Sequence, residues 1–275
     1  MRLASRGMAE ADHPALQIEV GGRSVGARLD DAIARGEVVR QEDGRLSLGQ
    51  PSQPGDDVGR QGGFIGRRAD NDRFCRFLNA FLFEHAYGET TVPFGCRTCF
   101  KIKVATRSLR ALMAMKALAE ATRFSTKSGA DVDSPANPDL YSTYLYFDGL
   151  AEAREAYREL RAAIDSHPAL GPGVTATIKR GCSNYERRCG PSDAYRFDPA
   201  LEAVEAHLAE RFVDDRPPRA APKAAVAELR MLRLVQTAYR IGDETYADFT
   251  DGRPLFKPLV SYDPDPDAGD PTTAA

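Results

Sequence analysis

The chain has 275 residues, 42% of them apolar and 28% charged, with a formal net charge of −3. That length holds one large domain or two small ones, the composition excludes a disordered chain, and the acidic balance excludes a protein that coats nucleic acid or membrane with its whole surface. No run approaches the ~18–20 apolar residues that cross a bilayer, and the first ten residues lack the apolar stretch of a secretory signal. The cytoplasm is therefore the expected location, where cysteines more often bind metal or react than form disulfide staples.

Residues 1–15 read as a flexible start. Leu16, Ile18 and Val20 then alternate as in a short strand, and Gly21-Gly22 follows as a turn. Val25 to Ala34 has the pattern of a short helix. Residues 38–48 read as a hairpin, because Asp43-Gly44 suits a tight turn between two β-prone arms. Residues 16–48 thus form a small β-α-β-β module, and 49–69, rich in Gly, Pro, Gln, Asp and Arg, read as a linker. Within that linker Gly59, Gly62, Gly63 and Gly66 resemble a phosphate loop only in their glycines.

The main domain is expected over 70–215. Phe74, Phe77, Leu78, Phe81 and Leu82 follow helical spacing up to about Tyr87, with Phe74 facing the core and Cys75 beside it read as a buried thiol in preference to a substitute metal ligand. Phe100, Ile102 and Val104 alternate as a strand. A helix runs from about Ser108 to Arg123, and residues 125–138 read as a polar loop. Tyr141 to Phe147 is a second strand, followed by a helix through Leu150, Ala153, Tyr157, Leu160 and Ile164. Val174, Ala176 and Ile178 form a third strand. Further on, Leu201, Val204 and Leu208 share one helix face, a last helix covers about 221–239 within a C-terminal segment 216–260, and 261–275 read as a disordered tail. The fold class is α/β (α+β): a small mixed sheet built strand-helix-strand-helix-strand, with extra helices and the N-terminal module.

Four of the five cysteines carry the sharpest chemical signal. Cys96 and Cys99 form Cys-x2-Cys just before the first strand of the layer, and Cys182 and Cys189 form Cys-x6-Cys just after the third. Their neighbours, Gly95, Arg97, Thr98, Gly181, Ser183, Asn184, Arg188 and Gly190, are loop-like and polar rather than core-like. The set is expected to hold a metal or an iron–sulfur cluster. One tight pair with ~2–4 residues between its thiols suits structural zinc, whereas the wide second pair and the Gly190-Pro191 after it suit a cluster. Arg97, Lys101, Arg180, Arg187 and Arg188 would offset the charge of either centre. The idea carries a topological condition. The strands after Cys99 and before Cys182 must pair antiparallel, since parallel pairing would put the two cysteine pairs at opposite ends.

A redox role for Cys96-Arg-Thr-Cys99 is weakened by the strand that follows, because thioredoxin-like activity needs a helix N-terminus there. From Thr91 to Ala130 eight cations (Arg97, Lys101, Lys103, Arg107, Arg110, Lys116, Arg123 and Lys127) face one acid, Glu120. Such a patch suits RNA, a phosphorylated ligand or an acidic partner, but a solvated face balanced by acids from 131–165 is the favoured reading. The C-terminal stretch from Tyr239 mixes aromatics with prolines and is a candidate docking segment for a partner protein. His85, near the end of an apolar helix, is a candidate fifth ligand or proton carrier, with a purely structural role favoured. Ser125 to Gly129 and Tyr185-Glu186 offer hydroxyls, a lysine and an acid without a specific catalytic pattern. The expected function is therefore a metal-binding protein holding an iron–sulfur cluster or zinc, in an accessory, electron-transfer or sensing role. The alternative is a zinc-stabilised binding or scaffold protein that meets a partner protein or RNA through its basic face.

Overall fold

In the computed structural model, residues 13–49, 64–67, 69, 74–130, 139–215 and 224–255 are described. The small elements come first. β1 (Glu19–Val20) and β2 (Arg23–Ser24) pair across the Gly21-Gly22 turn, and α1 (Val25–Ala34) starts at Ser24, whose hydroxyl accepts from the Ala27 amide. β3 (Val38–Arg40) and β4 (Leu46–Leu48) form the expected hairpin.

This module does not keep a core of its own. Val25, Leu29, Val38 and Leu46 pack with Phe77, Phe81 and Leu82 of α2 (Arg76–Ala86) and with Leu201, Val204 and Leu208 of a later helix. α2 is wound with π-type turns. Phe77, Phe81, Leu82 and Ala86 are buried in the shared core, while Phe83 enters a second cluster. Phe74 and Cys75 depart from expectation, since both are exposed. They stand before the first π turn, where the helical face has not yet been closed over.

The main sheet has five strands in the order β5-β7-β8-β6-β9 and every pairing is antiparallel, where a mixed sheet was expected. β6 is Cys99–Thr106, β8 is Tyr141–Asp148 and β9 is Thr175–Arg180. Two strands come from stretches that read as loop: β5 (Phe64–Arg67) lies in the expected linker, and β7 (Thr126–Ala130) in the expected polar loop. α3 (Leu109–Glu120) connects β6 to β7, and α4 (Leu150–Ser166) connects β8 to β9. The resulting β-α-β-β-α-β order, with the first and third strands side by side in the middle, is the split β-α-β arrangement. The fold class is α+β.

Alternation gives the sheet two different faces. Phe100, Ile102, Val104, Leu145 and Phe147 meet Met115 and Ala119 of α3 and Ala153, Leu160 and Ile164 of α4. The opposite face carries Cys99, Lys101, Lys103 and Ala105 on β6, with Ser142, Tyr144 and Tyr146 beside them on β8. α5 (Ser183–Cys189) follows β9 directly, and α6 (Leu201–Ala209) closes the shared core.

α7 (Ala224–Arg240) lies on the helical side, with Leu234, Val235 and Ala238 packed against Leu109, Leu112 and Tyr141. The stretch after it docks on this chain's own α3. Asp243 accepts hydrogen bonds from the Leu109 amide at 2.6 Å and the Tyr141 hydroxyl at 2.8 Å, and the Asp248 carboxylate holds the Arg110 guanidinium. Burial pushes the Asp243 carboxyl up, but the bonds from Thr245, Leu109 and Tyr141 together outweigh it and hold it below the ordinary 3.8. A depressed carboxyl stabilises the fold above 3.8 and loses that contribution as pH falls through its lower folded value. We expect Asp243→Ala to cost about 1–3 kcal/mol at neutral pH, and to cost progressively less as the pH falls below 3.8, in denaturant unfolding followed by circular dichroism.

Candidate functional site

The register of β6 against β9 decides where the cysteines lie. Phe100 pairs with Arg180, and one step further the Gly181 amide donates to the Cys99 carbonyl at 3.2 Å. The chain leaves β9 at the point where it enters β6, so the two cysteine pairs meet at one end of the sheet. The antiparallel condition is satisfied.

Each thiol is placed by a different local device. Cys96 ends a 3-10 turn, Phe94–Cys96, and Cys99 is the first residue of β6. Cys182 is the N-cap of α5 and Cys189 is its last residue. All four belong to one apolar cluster with Phe83, Val92, Tyr185 and Tyr195. Cys96 and Cys99 are 5% and 6% exposed, and Cys182 and Cys189 are half-buried. No disulfide joins them. The Cys96 sulfur stands 3.5 Å from the Tyr185 hydroxyl, whose ring packs edge-on against Phe83 at 4.5 Å between centroids. Cys75, expected to be buried, is exposed yet lies within electrostatic reach of Cys96.

Gly181, with φ +67, turns the chain out of β9, and a side chain there would press on Tyr195 and Tyr185. Gly95 serves close approach rather than an unusual dihedral: a Cβ there would lie 2.9 Å from the Leu78 side chain and 3.0 Å from Glu205 Oε2.

Glu205 escaped the sequence reading. It is 8% exposed on α6, and its carboxylate accepts from the Phe94 amide at 2.6 Å, the Gly95 amide at 2.8 Å and the Tyr87 hydroxyl at 3.1 Å. It therefore fixes the turn that presents Cys96 to the end of α2. The signal was present: an acid four residues after Leu201 lies in the same apolar stripe as Val204 and Leu208.

Burial pushes the Cys96 thiol well above its ordinary value, against the hydrogen bond with Tyr185, and burial also raises Cys189. A protonated buried thiol is a poor nucleophile, so Cys96 lacks the lowered pKa of thiol–disulfide exchange. Among the described residues no three His, Cys, Asp or Glu side chains stand ready to hold one metal ion. α5 also keeps the second pair apart. Cys182 and Cys189 are seven residues apart on a helical path, ~10 Å along the axis. One zinc ion held at ~2.3 Å by each thiolate needs two sulfurs within ~4 Å.

The surrounding cations are arranged around this cluster. Arg180 donates to the Arg97 carbonyl at 2.5 Å and stacks 4.5 Å over Phe100. Arg188 pairs with Glu89 at 2.8 Å, and Lys179 with Glu186. Lys101 is different. It is 5% exposed, its ammonium sits 5.3 Å over the Tyr144 ring, and burial pulls it down to about 8. His85 is not part of the site; its ring faces Glu37 at 3.4 Å. Much of the basic stretch is paired, with Lys103 on Asp139, Lys116 on Glu120 and Arg123 on Glu152.

Comparison with protein-family models, with curated proteins and with solved structures finds no match for this chain. No helix among the described residues is long and apolar enough to cross a membrane.

Burial pushes the Glu205 carboxyl above 4.5, and the bonds from Gly95, Phe94 and Tyr87 pull against it without cancelling it. A carboxyl raised in the folded state makes the protein most stable below 4.5 and less so as pH rises through the folded value. We expect Glu205→Gln to remove that pH dependence. It leaves one amide of the Phe94–Gly95 turn without an acceptor, at a cost of about 1–3 kcal/mol at neutral pH in thermal or denaturant unfolding.

Proposed function

We propose that the chain holds an iron–sulfur cluster on Cys96, Cys99, Cys182 and Cys189, in an accessory, electron-transfer or sensing role. The observation that carries this reading is the antiparallel pairing of β6 with β9, which collects four cysteines from two distant stretches into one apolar cluster. The chemistry of the thiols agrees. Burial pushes the Cys96 and Cys189 thiols up, which makes them poor nucleophiles for exchange, and a metal centre would deprotonate the thiols that ligate it.

The six-residue interval of the second pair suits a cluster better than a zinc knuckle, because cluster ligation accepts irregular sequence spacing. The ~10 Å rise of α5 exceeds the separation of thiolates on either centre, so ligation by both Cys182 and Cys189 needs the helix to open. A seven-residue helix also has little stability of its own, so its ends can yield to ligands. Arg97, Lys101 and Arg180 lie close enough to offset the negative charge of a thiolate-bound centre.

The alternative, a zinc-stabilised scaffold meeting RNA or a protein through a basic face, has less support. Several cations of that face are paired with acids of the same chain, and the described part of the C-terminal segment is engaged with α3. Asp139 and Glu152 are among the acids that the sequence offered for this balance.

Isolation without oxygen, with iron, sulfide and zinc measured per chain, tests the reading. We expect matched iron and sulfide with broad absorption near ~400 nm, and loss of at least half the iron in Cys99→Ser and in Cys182→Ser. About one zinc and no sulfide would transfer the site to the alternative. Full metal content in either variant, or no metal in the native chain, would sink the shared centre.

A further inference from the structure

A cavity of about 320 Å³ opens between the N-terminal module and the end of α6, and no cysteine lines it. Small-molecule sites begin at about that size, ~300 Å³. Leu16, Leu29, Leu46 and Leu208 supply its apolar floor. Each comes from a different element, the 3-10 turn Pro14–Gln17, α1, β4 and α6, and all four are buried in the shared core.

The wall is charged, and one charge stands where the fold calls for an apolar residue. Val38 pairs in register with Leu48, and Arg40 with Leu46, so these four side chains share one side of the hairpin. Val38, Leu46 and Leu48 are buried, whereas Arg40 is exposed and lines the cavity. Arg211, also on the wall, follows α6 directly. Its carbonyl accepts from the Leu46 amide at 2.9 Å, which holds Arg211 beside the strand that Arg40 pairs with. Asp30 of α1 meets Arg40 at 3.3 Å, and both side chains are exposed. An exposed pair of this kind is weak, so the guanidinium is open to a better-placed carboxylate. Two guanidinium groups against one carboxylate leave a single positive charge among the fixed charges of the described lining residues.

We propose that this cavity binds a small monocarboxylate with an apolar body, its carboxylate at Arg40 and Arg211 and its body on the four leucines. The planar guanidinium fork matches the two oxygens of a carboxylate, and a single negative charge balances the wall. A phosphate dianion would overcharge it and waste the leucine floor, and an amine would meet like charge. The site does not depend on the metal centre, because no cysteine lines the cavity.

Nuclear magnetic resonance titration of the isotope-labelled full-length chain with hexanoate, benzoate, hexylamine and inorganic phosphate tests it. We expect saturable shifts at amides of α1 and β4 with hexanoate or benzoate, the tighter of the two telling a flexible chain from a flat ring. Hexylamine should bind at least about tenfold more weakly, and Arg40→Met and Arg211→Met should each weaken the acid about tenfold. Ala27→Phe, which fills the cavity from its wall, should abolish binding while the thermal midpoint is kept. If that variant does not fold, the two arginine variants still read the site, since neither side chain is buried. Absence of saturable shifts with both acids would overturn the proposal. Equal binding of hexylamine, full affinity in both arginine variants, or saturation by phosphate alone would do the same.

Discussion

The antiparallel pairing of β6 with β9 is the constraint on which the rest of the site depends. Its register, Phe100 against Arg180 and Ile102 against Ile178, buries one apolar row against α3 and α4. A shift of one residue would move that row to the other face and bring the lysines under the helices, so the register is strongly specified. The same register fixes the exit from β9 beside the entrance to β6. Four cysteines from two stretches of chain meet there as a consequence of sheet packing, with no need for a dedicated loop.

Around this end of the sheet the two halves of the molecule are locked together by buried polar and aromatic contacts. Glu205 reaches from α6 to the Phe94–Cys96 turn and to Tyr87, and Phe83 reaches from α2 to Tyr185. The N-terminal module shares its core with α2 and α6.

Much of this was legible in the sequence. The three strands with clear apolar or aromatic alternation, at 100–104, 141–147 and 174–178, lie where the alternation placed them. The helices between them do as well, and the cysteine pairs flank the strands as read. β7 and β5 were missed for a physical reason. Thr-Lys-Ser-Gly-Ala and Phe-Ile-Gly-Arg carry too little apolar periodicity to declare themselves, and they become strands because neighbouring strands supply their hydrogen bonds. Lys101 was placed on the polar face by alternation, but nothing local says that this face is buried there. The helical span between Cys182 and Cys189 was also hidden, since a spacing of six residues does not tell a loop from two turns of helix.

X-ray absorption at the iron and zinc edges of the protein isolated without oxygen tests the central claim most directly. The account predicts iron surrounded by sulfur alone, with a second shell of neighbouring iron. A metal shell made only of nitrogen and oxygen, or no bound iron or zinc at all, would contradict it.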